Sequence, residues 1–391
     1  MLFRNVLLKG PRHYQSFCTH HLTSGYLQSV QRLDLSSYST HGSRLSERSA
    51  KAMVVSDQLA HLIKECKQLK ELYVGEEMMH AFVSPQVIEA VFCHANRLST
   101  LDFTGFCDQK FAKTLARLFD TSSGMVLSKQ HLENISFYMC MALQSDKFFT
   151  PFFQRLQQSG NCIKKLDLAH TQITSTVFTY IDPTHLTHLS LQASLYIACC
   201  SPLIPFLQAC KSLVHLNLNA DYSGSRESRF CQSCLVTILR HLNASLVTLD
   251  IGGHYQLDDD VFQAVDYQLP SGLKYLSLAY CHQLTCTSLV KLMQSTPRLY
   301  YLNIACSPLL DALPRVLNRL GSTLEHLRVI EISPIILKRY PTTVGSEWTI
   351  ATQGRRTYYG RYRDDPRFCY SKKVLMGQPL SAMNKYWCYS Y

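Results

Sequence analysis

Residues 273–304 read LKYLSLAYCHQLTCTSLVKLMQSTPRLYYLNI. Leu273, Leu276 and Leu278 stand in the spacing L-x-x-L-x-L. Cys281 follows, and a short turn leads to an apolar stripe of Leu289, Val290, Leu292 and Met293 that Pro297 ends. Alternate residues of a strand face one side, whereas apolar residues three and four apart mark one face of a helix. The stretch therefore predicts one strand, one turn and one helix in about 26 residues. At Leu299, Leu302 and Ile304 the pattern starts again.

The same signature recurs about eleven times when other aliphatics and Phe are admitted. Upstream it begins at Val30, Leu69, Leu98, Leu132, Ile163, Leu186, Leu213 and Leu246; downstream it closes with Leu324, Leu327 and Val329. First positions lie about 23 to 39 residues apart, within the range of stacked repeats. Helical stripes fall between the strands, for example Leu59, Leu62, Ile63 and Cys66, or Phe111, Leu115, Leu118 and Phe119. Such a unit buries its apolar face only against its neighbours, so 391 residues need no single compact core. The expected fold class is α/β: a solenoid, horseshoe-like, with a parallel sheet on the concave face and helices on the convex face.

Hydrophobic content of 46% and charged content of 17% fit a well-buried protein, and no apolar run reaches the length of a membrane span. The sixteen cysteines are scattered through helices and turns and no signal-peptide pattern precedes them, so reduced thiols in the cytoplasm or nucleus are expected. Residues 1–30 hold Arg4, Lys9 and Arg12 and no acid, as a mitochondrial transit peptide would, but MLFRNVLL reads as a strand.

Two stretches stand outside the repeat. Residues 36–52, rich in Ser and basic, read as an exposed, disordered-type loop. From Ser333 to Tyr391 the signature is absent. Both tryptophans lie there with eight of the 22 tyrosines, and ten Lys/Arg against three Asp/Glu give +7 of the net +11. The expected segments are thus 1–29 as an N-terminal cap, 30–332 as the solenoid and 333–391 as a basic aromatic tail. Trp348, Tyr358, Tyr359, Phe368, Tyr386 and Trp387 would pack over the repeat at Leu324 as a C-terminal cap. Alternatively, Arg355, Arg356, Arg361 and Arg363 would form a basic patch for nucleic-acid phosphates or an acidic protein.

LKYLSLAYCHQLTCTSL resembles the cysteine-containing leucine-rich repeat of ribonuclease-inhibitor-like proteins, whose pattern is roughly L-x-x-L-x-L-x-x-C followed by I/L-T-x-x-x-L. The resemblance spans about Val30 to Val329, although only Cys140 and Cys281 occupy the cysteine position; elsewhere Thr171, Ser194, Asp221 or His254 stands there. The start, LFRNVLLKGPRHYQSFCTHHL before VQRLDLSSY, is similar to the segment after the F-box in fungal F-box/leucine-rich-repeat proteins. About 29 residues precede the first signature and the F-box itself is missing from them. The resemblance implies a non-enzymatic protein-binding scaffold, a substrate-receptor-like subunit of a cullin-type ubiquitin ligase whose F-box would lie upstream. The alternatives are an inhibitor or adaptor with no ligase link, and a nucleic-acid-associated repeat protein acting through its tail. A GTPase-activating repeat protein would need an arginine finger near the first repeats, for which Arg32 is the candidate.

On the expected concave face the partner-binding candidates are Asp102, Asp167, Asn217 and Asp250 in a middle column, with His188, His215, Tyr275 and Tyr301 beside it. No Walker sequence, G-x-S-x-G or H-E-x-x-H occurs, so no catalytic role and no cofactor are expected. Cys231-Gln-Ser-Cys234 has no second pair at a standard zinc spacing, Cys199-Cys200 being adjacent in sequence, so the four read as structural cysteines and no metal is expected. Asp258-Asp259-Asp260 reads as the cap of a helix beginning near Val261.

Overall fold

The computed structural model describes residues 4–41, 43–120, 131–220, 230–308, 313–320, 325–332, 343–344, 348–353 and 356–361. The chain forms two compact units, the first made of residues 1–186 with 194–196, the second of 187–193 with 197–391. Both are runs of leucine-rich repeats.

In unit one the strands β1 (Asn5–Leu7), β2 (Arg32–Leu35), β3 (Glu71–Val74), β4 (Thr100–Phe103), β5 (Asn134–Ser136) and β6 (Lys165–Asp167) pair in parallel, each with the next. Val6, Leu33, Leu72, Leu101, Ile135 and Leu166 align in register, all buried. The helices between them are α1 (Pro11–His21), α2 (Glu47–Ala52), α3 (Ser56–Glu65), α4 (Met79–Phe82), α5 (Pro85–Glu89), α6 (Gln109–Phe119) and α7 (Thr150–Gln158). Several are short and run into wider π-type turns at Ala90–His94 and Ser145–Phe149. Phenylalanine fills the resulting space. Phe103, Phe148, Phe149 and Phe152 surround Phe137 with ring centroids 5.3 to 6.1 Å away, three of the four edge-on, the arrangement that ring quadrupoles favour.

Residues 36–52 differ from the expected loop. Tyr38 and Ala50 are buried, Ser46 caps α2 by accepting from the Ser49 amide, and the Ser39 hydroxyl and Thr40 amide donate to the Glu77 carboxylate. The serines that suggested disorder here serve as caps and turn anchors instead.

In unit two β7 (His188–Ser190), β8 (His215–Asn217), β9 (Thr248–Asp250), β10 (Tyr275–Ser277), β11 (Tyr301–Asn303) and β12 (Val329–Ile332) continue the parallel scheme. Leu189, Leu216, Leu249, Leu276, Leu302 and Ile330 form the inward row. The helices are α8 (Leu203–Ala209), α9 (Gln232–Arg240), α10 (Asp259–Gln263), α11 (Cys286–Ser295) and α12 (Leu313–Leu320). Asp258 caps α10 by accepting from the Val261 amide at 3.1 Å, the role expected of the acidic run.

The last repeat is shifted by three residues from its expected place. Ile330 aligns with Leu302, so the signature is Leu327, Ile330 and Ile332, and Glu331 stands in the middle column. LEHLRV and LRVIEI both satisfy L-x-x-L-x-L, and pairing with β11 selects the second; Leu324 lies outside the described residues. A hairpin follows, in which β15 (Arg356–Arg361) pairs antiparallel with β12, β14 (Trp348–Gln353) with β15, and β13 (Thr343–Val344) with β14. It covers the edge of β12 and buries Trp348, Tyr358 and Tyr359. Phe368, Tyr386 and Trp387 lie outside the described residues.

Candidate functional site

The middle column of the strand face is not a surface. Asp102, Asp167, Asn217 and Asp250 are all at most 6% exposed. Each accepts from the backbone amide two residues on, at Thr104, Ala169, Asn219 and Gly252, over 2.9 to 3.1 Å. Asp34 and Asn303 do the same for Ser36 and Ala305. This Asx-turn bond ends each strand and starts the turn into the helix. Their expected role as partner contacts is therefore corrected: the carboxylates and amides are used within the fold. Asp250 also accepts from the Asn219 side chain at 3.0 Å, yet burial pushes its carboxyl up to about 6.

The neighbouring column is mixed. In unit one Arg32 is held by Asp34 at 2.8 Å and Glu71 at 3.4 Å and lies 4.5 Å over the Tyr73 ring, so it does not project as a finger. In unit two His188 and His215 lie ring to ring with centroids 4.1 Å apart, tilted by 31°, and remain half-exposed. Tyr275 and Tyr301 are buried with Val329 and Tyr358, and Tyr301 donates to Glu331, so these two are core residues and not contacts. Of the basic tail candidates, Arg361 is 2% exposed and sits 5.9 Å over Trp348, which removes it from any phosphate-binding surface. Arg356 lies in β15; Arg355 and Arg363 lie outside the described residues.

At the position that held cysteine in the quoted stretch several repeats place a hydrogen-bond donor to the preceding repeat, whereas the β4 repeat places the buried ring of Phe106 there. Cys140 donates to the Phe103 carbonyl at 2.9 Å, Ser194 to Leu168 at 3.0 Å, His254 bonds Leu218 at 2.8 Å, and Cys281 reaches Ile251 at 3.9 Å. Burial pushes the Cys281 thiol up to about 12, so it keeps its proton for this purpose. The residue before it takes a positive φ: Gly105, Met139 and His170 in unit one, Ala193, Gly253, Tyr280 and Cys306 in unit two. Its amide then donates to the next repeat, as Gly105 does to Tyr138 and Tyr280 to Ala305, both at 2.8 Å.

Beyond this position the chain is exposed. In unit one Met141 follows Cys140, and Leu195 and Tyr196 follow Ser194; they are 46%, 57% and 57% exposed. Tyr255 follows His254 in unit two. These large apolar side chains carried no periodic signal, because they lie in turns. Unit one also holds an open cleft between residues 40–51 and β3–α6, lined by Glu47, Lys51, Glu77, His80 and Asp108.

The clearest correction concerns cysteine. Cys199, Cys200, Cys231 and Cys234 converge in unit two with all four sulfurs within 4.8 Å of one another. The closest approaches are 3.5 Å from Cys234 to both Cys199 and Cys200, 3.6 Å between Cys199 and Cys200, and 4.0 Å from Cys200 to Cys231. The Ser233 hydroxyl, 3.0 Å from its sulfur, leads in pulling the Cys231 thiol down to about 6, while burial pushes Cys234 up. The adjacent pair Cys199-Cys200 is the sequence signal, and its spacing matches no standard zinc pair.

Repeat signature and parallel register together define a leucine-rich-repeat fold. No protein-family profile matches the chain, and no curated protein matches it. Among solved structures it is similar to a chain of the yeast Rad7 and Elc1 complex, at 15% identity over 76% of this chain and 83% of that one, with a TM-score of 0.41. It is also similar to the leucine-rich repeat-containing protein LegL7 from Legionella pneumophila, at 14% identity over 82% of each chain, with a TM-score of 0.28. Among the described residues no helix is long and apolar enough to cross a membrane.

Proposed function

We propose that this protein is a non-enzymatic scaffold that binds a protein partner through the turns following its strands, as a substrate-receptor-like subunit of a cullin-type ubiquitin ligase in the cytoplasm or nucleus. The observation that carries the binding role is the exposure of Met141, Leu195 and Tyr196 at corresponding repeat positions of unit one, beside a strand face whose Asx side chains are engaged. Exposed large apolar and aromatic side chains on a rigid frame are the usual anchors of protein interfaces. The ligase assignment is supported by the similarity of the first residues to the segment that follows an F-box.

The test is affinity capture with the full chain and with a Met141→Asp, Leu195→Asp, Tyr196→Asp variant. The scaffold reading expects one captured protein to be lost at least tenfold in the variant while the melting temperature holds. Unchanged capture would move the interface elsewhere. Recovery of a cullin adaptor is expected from the full-length gene product; its absence would leave an adaptor or inhibitor with no ligase link.

A further inference from the structure

We propose that Cys199, Cys200, Cys231 and Cys234 bind one zinc ion as a closed, four-thiolate structural site that staples the loop after β7 to the start of α9. Four thiolates at about 2.3 Å from a tetrahedral zinc stand about 3.8 Å apart. The observed separations of 3.5, 3.5, 3.6 and 4.0 Å bracket that value. A disulfide needs about 2.05 Å, far shorter than any of them. A multi-iron cluster needs the sulfurs spread around a larger body than a 4.8 Å set encloses.

The backbone supplies the second argument. Neighbouring side chains in an extended segment point to opposite sides. Cys200 escapes this with a φ of 53°, a conformation that residues with a side chain rarely adopt, and so brings its sulfur beside that of Cys199. Strain of this kind persists where surrounding structure or function requires it. On the other side, Cys231 is the N-cap of α9 and Cys234 lies in its first turn, so both sulfurs meet the positive end of a helix of nine residues. The Cys231 amide in turn donates to the Cys199 sulfur at 3.2 Å, the outer bond that favours a thiolate. Cys200 is exposed and Cys234 buried, which leaves the ion a route in and a fixed seat.

Binding replaces thiol protons with the dication: four S–H bonds release up to four protons to solvent, four Zn–S bonds form, and no electron moves. With all four positions filled by protein, no coordination site remains for water or substrate, so the ion is structural. Its mechanical effect is to tie two points 31 residues apart in sequence across β8.

The experiment is metal analysis of the full chain purified with zinc present. One zinc per chain is expected, falling to near zero in Cys231→Ser, Cys234→Ser and staying at one in the control Cys107→Ser, Cys162→Ser. Cobalt substituted into the intact chain should show intense thiolate-to-metal charge transfer with tetrahedral ligand-field bands. Should the double variant fail to fold, chelator titration of the intact chain decides, with Cys200→Ser alone expected to weaken retention at least tenfold. A chain that takes up no zinc with Cys199, Cys200, Cys231 and Cys234 all reduced, a zinc retained in the double variant, cobalt bands without thiolate character, or a disulfide among the four after anaerobic purification would each overturn the site.

Discussion

In unit one the space between sheet and helices is filled by rings: Phe103, Phe106, Phe111, Phe137, Phe148 and Phe152 are all buried and touch one another. In unit two the equivalent space holds aliphatics such as Leu216, Ile238, Leu249, Leu276 and Leu292, with the buried imidazole of His254. The repeat signature dictates which strand residues turn inward and leaves open what meets them from the helix side. Long rings span the gap where helices are short and broken by wide turns.

Deleting a ring in unit one should therefore have the largest effect. Phe137→Ala removes contacts to four rings, for an expected loss of about 3–5 kcal/mol in urea unfolding. Leu249→Ala in unit two is expected to lose about 2–5 kcal/mol. If the aliphatic deletion proves the costlier of the two, ring packing is not what distinguishes unit one.

The second test lies in unit two. Its fold holds the Asp250 proton up to about pH 6, because burial disfavours the carboxylate, whereas the unfolded chain releases it near pH 4. Stability is therefore full below about pH 4, is lost as pH rises from about 4 to about 6, and is flat above, for a total on the order of 2–3 kcal/mol. Asp250→Asn should abolish that slope and raise stability at pH 7, since Oδ1 still accepts from Gly252 and Asn219. Asn217 and Asn303 already occupy this column and make the same bond. A slope that survives the substitution would assign the titration to another group.

A smaller effect is expected at the donor position of unit one. Ser194→Ala removes one of the two hydroxyl bonds that the Leu168 carbonyl accepts, the 3.0 Å bond from Ser194 beside the 2.6 Å bond from Thr171, and should lower stability by about 0.5–1.5 kcal/mol. Ser194→Cys should recover most of it, as Cys140 donates to Phe103 in the same way. Equal losses from both substitutions would mean that size, not donation, governs the position.

The inward leucines were legible because a period of two survives any change of neighbour, and so were the helices with long apolar stripes such as α3 and α6. Burial of Asp102 or Asp250 was not, since a polar residue between two leucines has the same sequence whether flanked by water or by adjacent strands. The register of the last repeat turned on a choice between two overlapping hexapeptides that only pairing with β11 resolves. The thiol cluster depended on the positive φ of Cys200, for which a cysteine offers no local signal. Tyr38 was hidden by its serine-rich surroundings.

The finest distinction is at the positive-φ residue of the turns after β4 and β5. Gly105 and Met139 hold the same place in successive repeats of unit one, at φ of 82° and 58°, and their amides donate to Tyr138 and Ala169. Glycine takes this region without penalty, whereas a side chain brings its Cβ against the following carbonyl. At Gly105 an added Cβ would also meet the Glu76 Cβ at 3.0 Å, so Gly105→Ala should lose about 1–2 kcal/mol. Met139 is half-exposed and already bears the strain. Met139→Asn replaces it with the side chain that best tolerates this conformation and should gain about 0.5 kcal/mol, visible as a small rise in urea midpoint with an unchanged slope. A loss there instead would show that the Met139 side chain contributes more by packing than its backbone costs, and that the repeats of unit one are tuned by contact even at their turns.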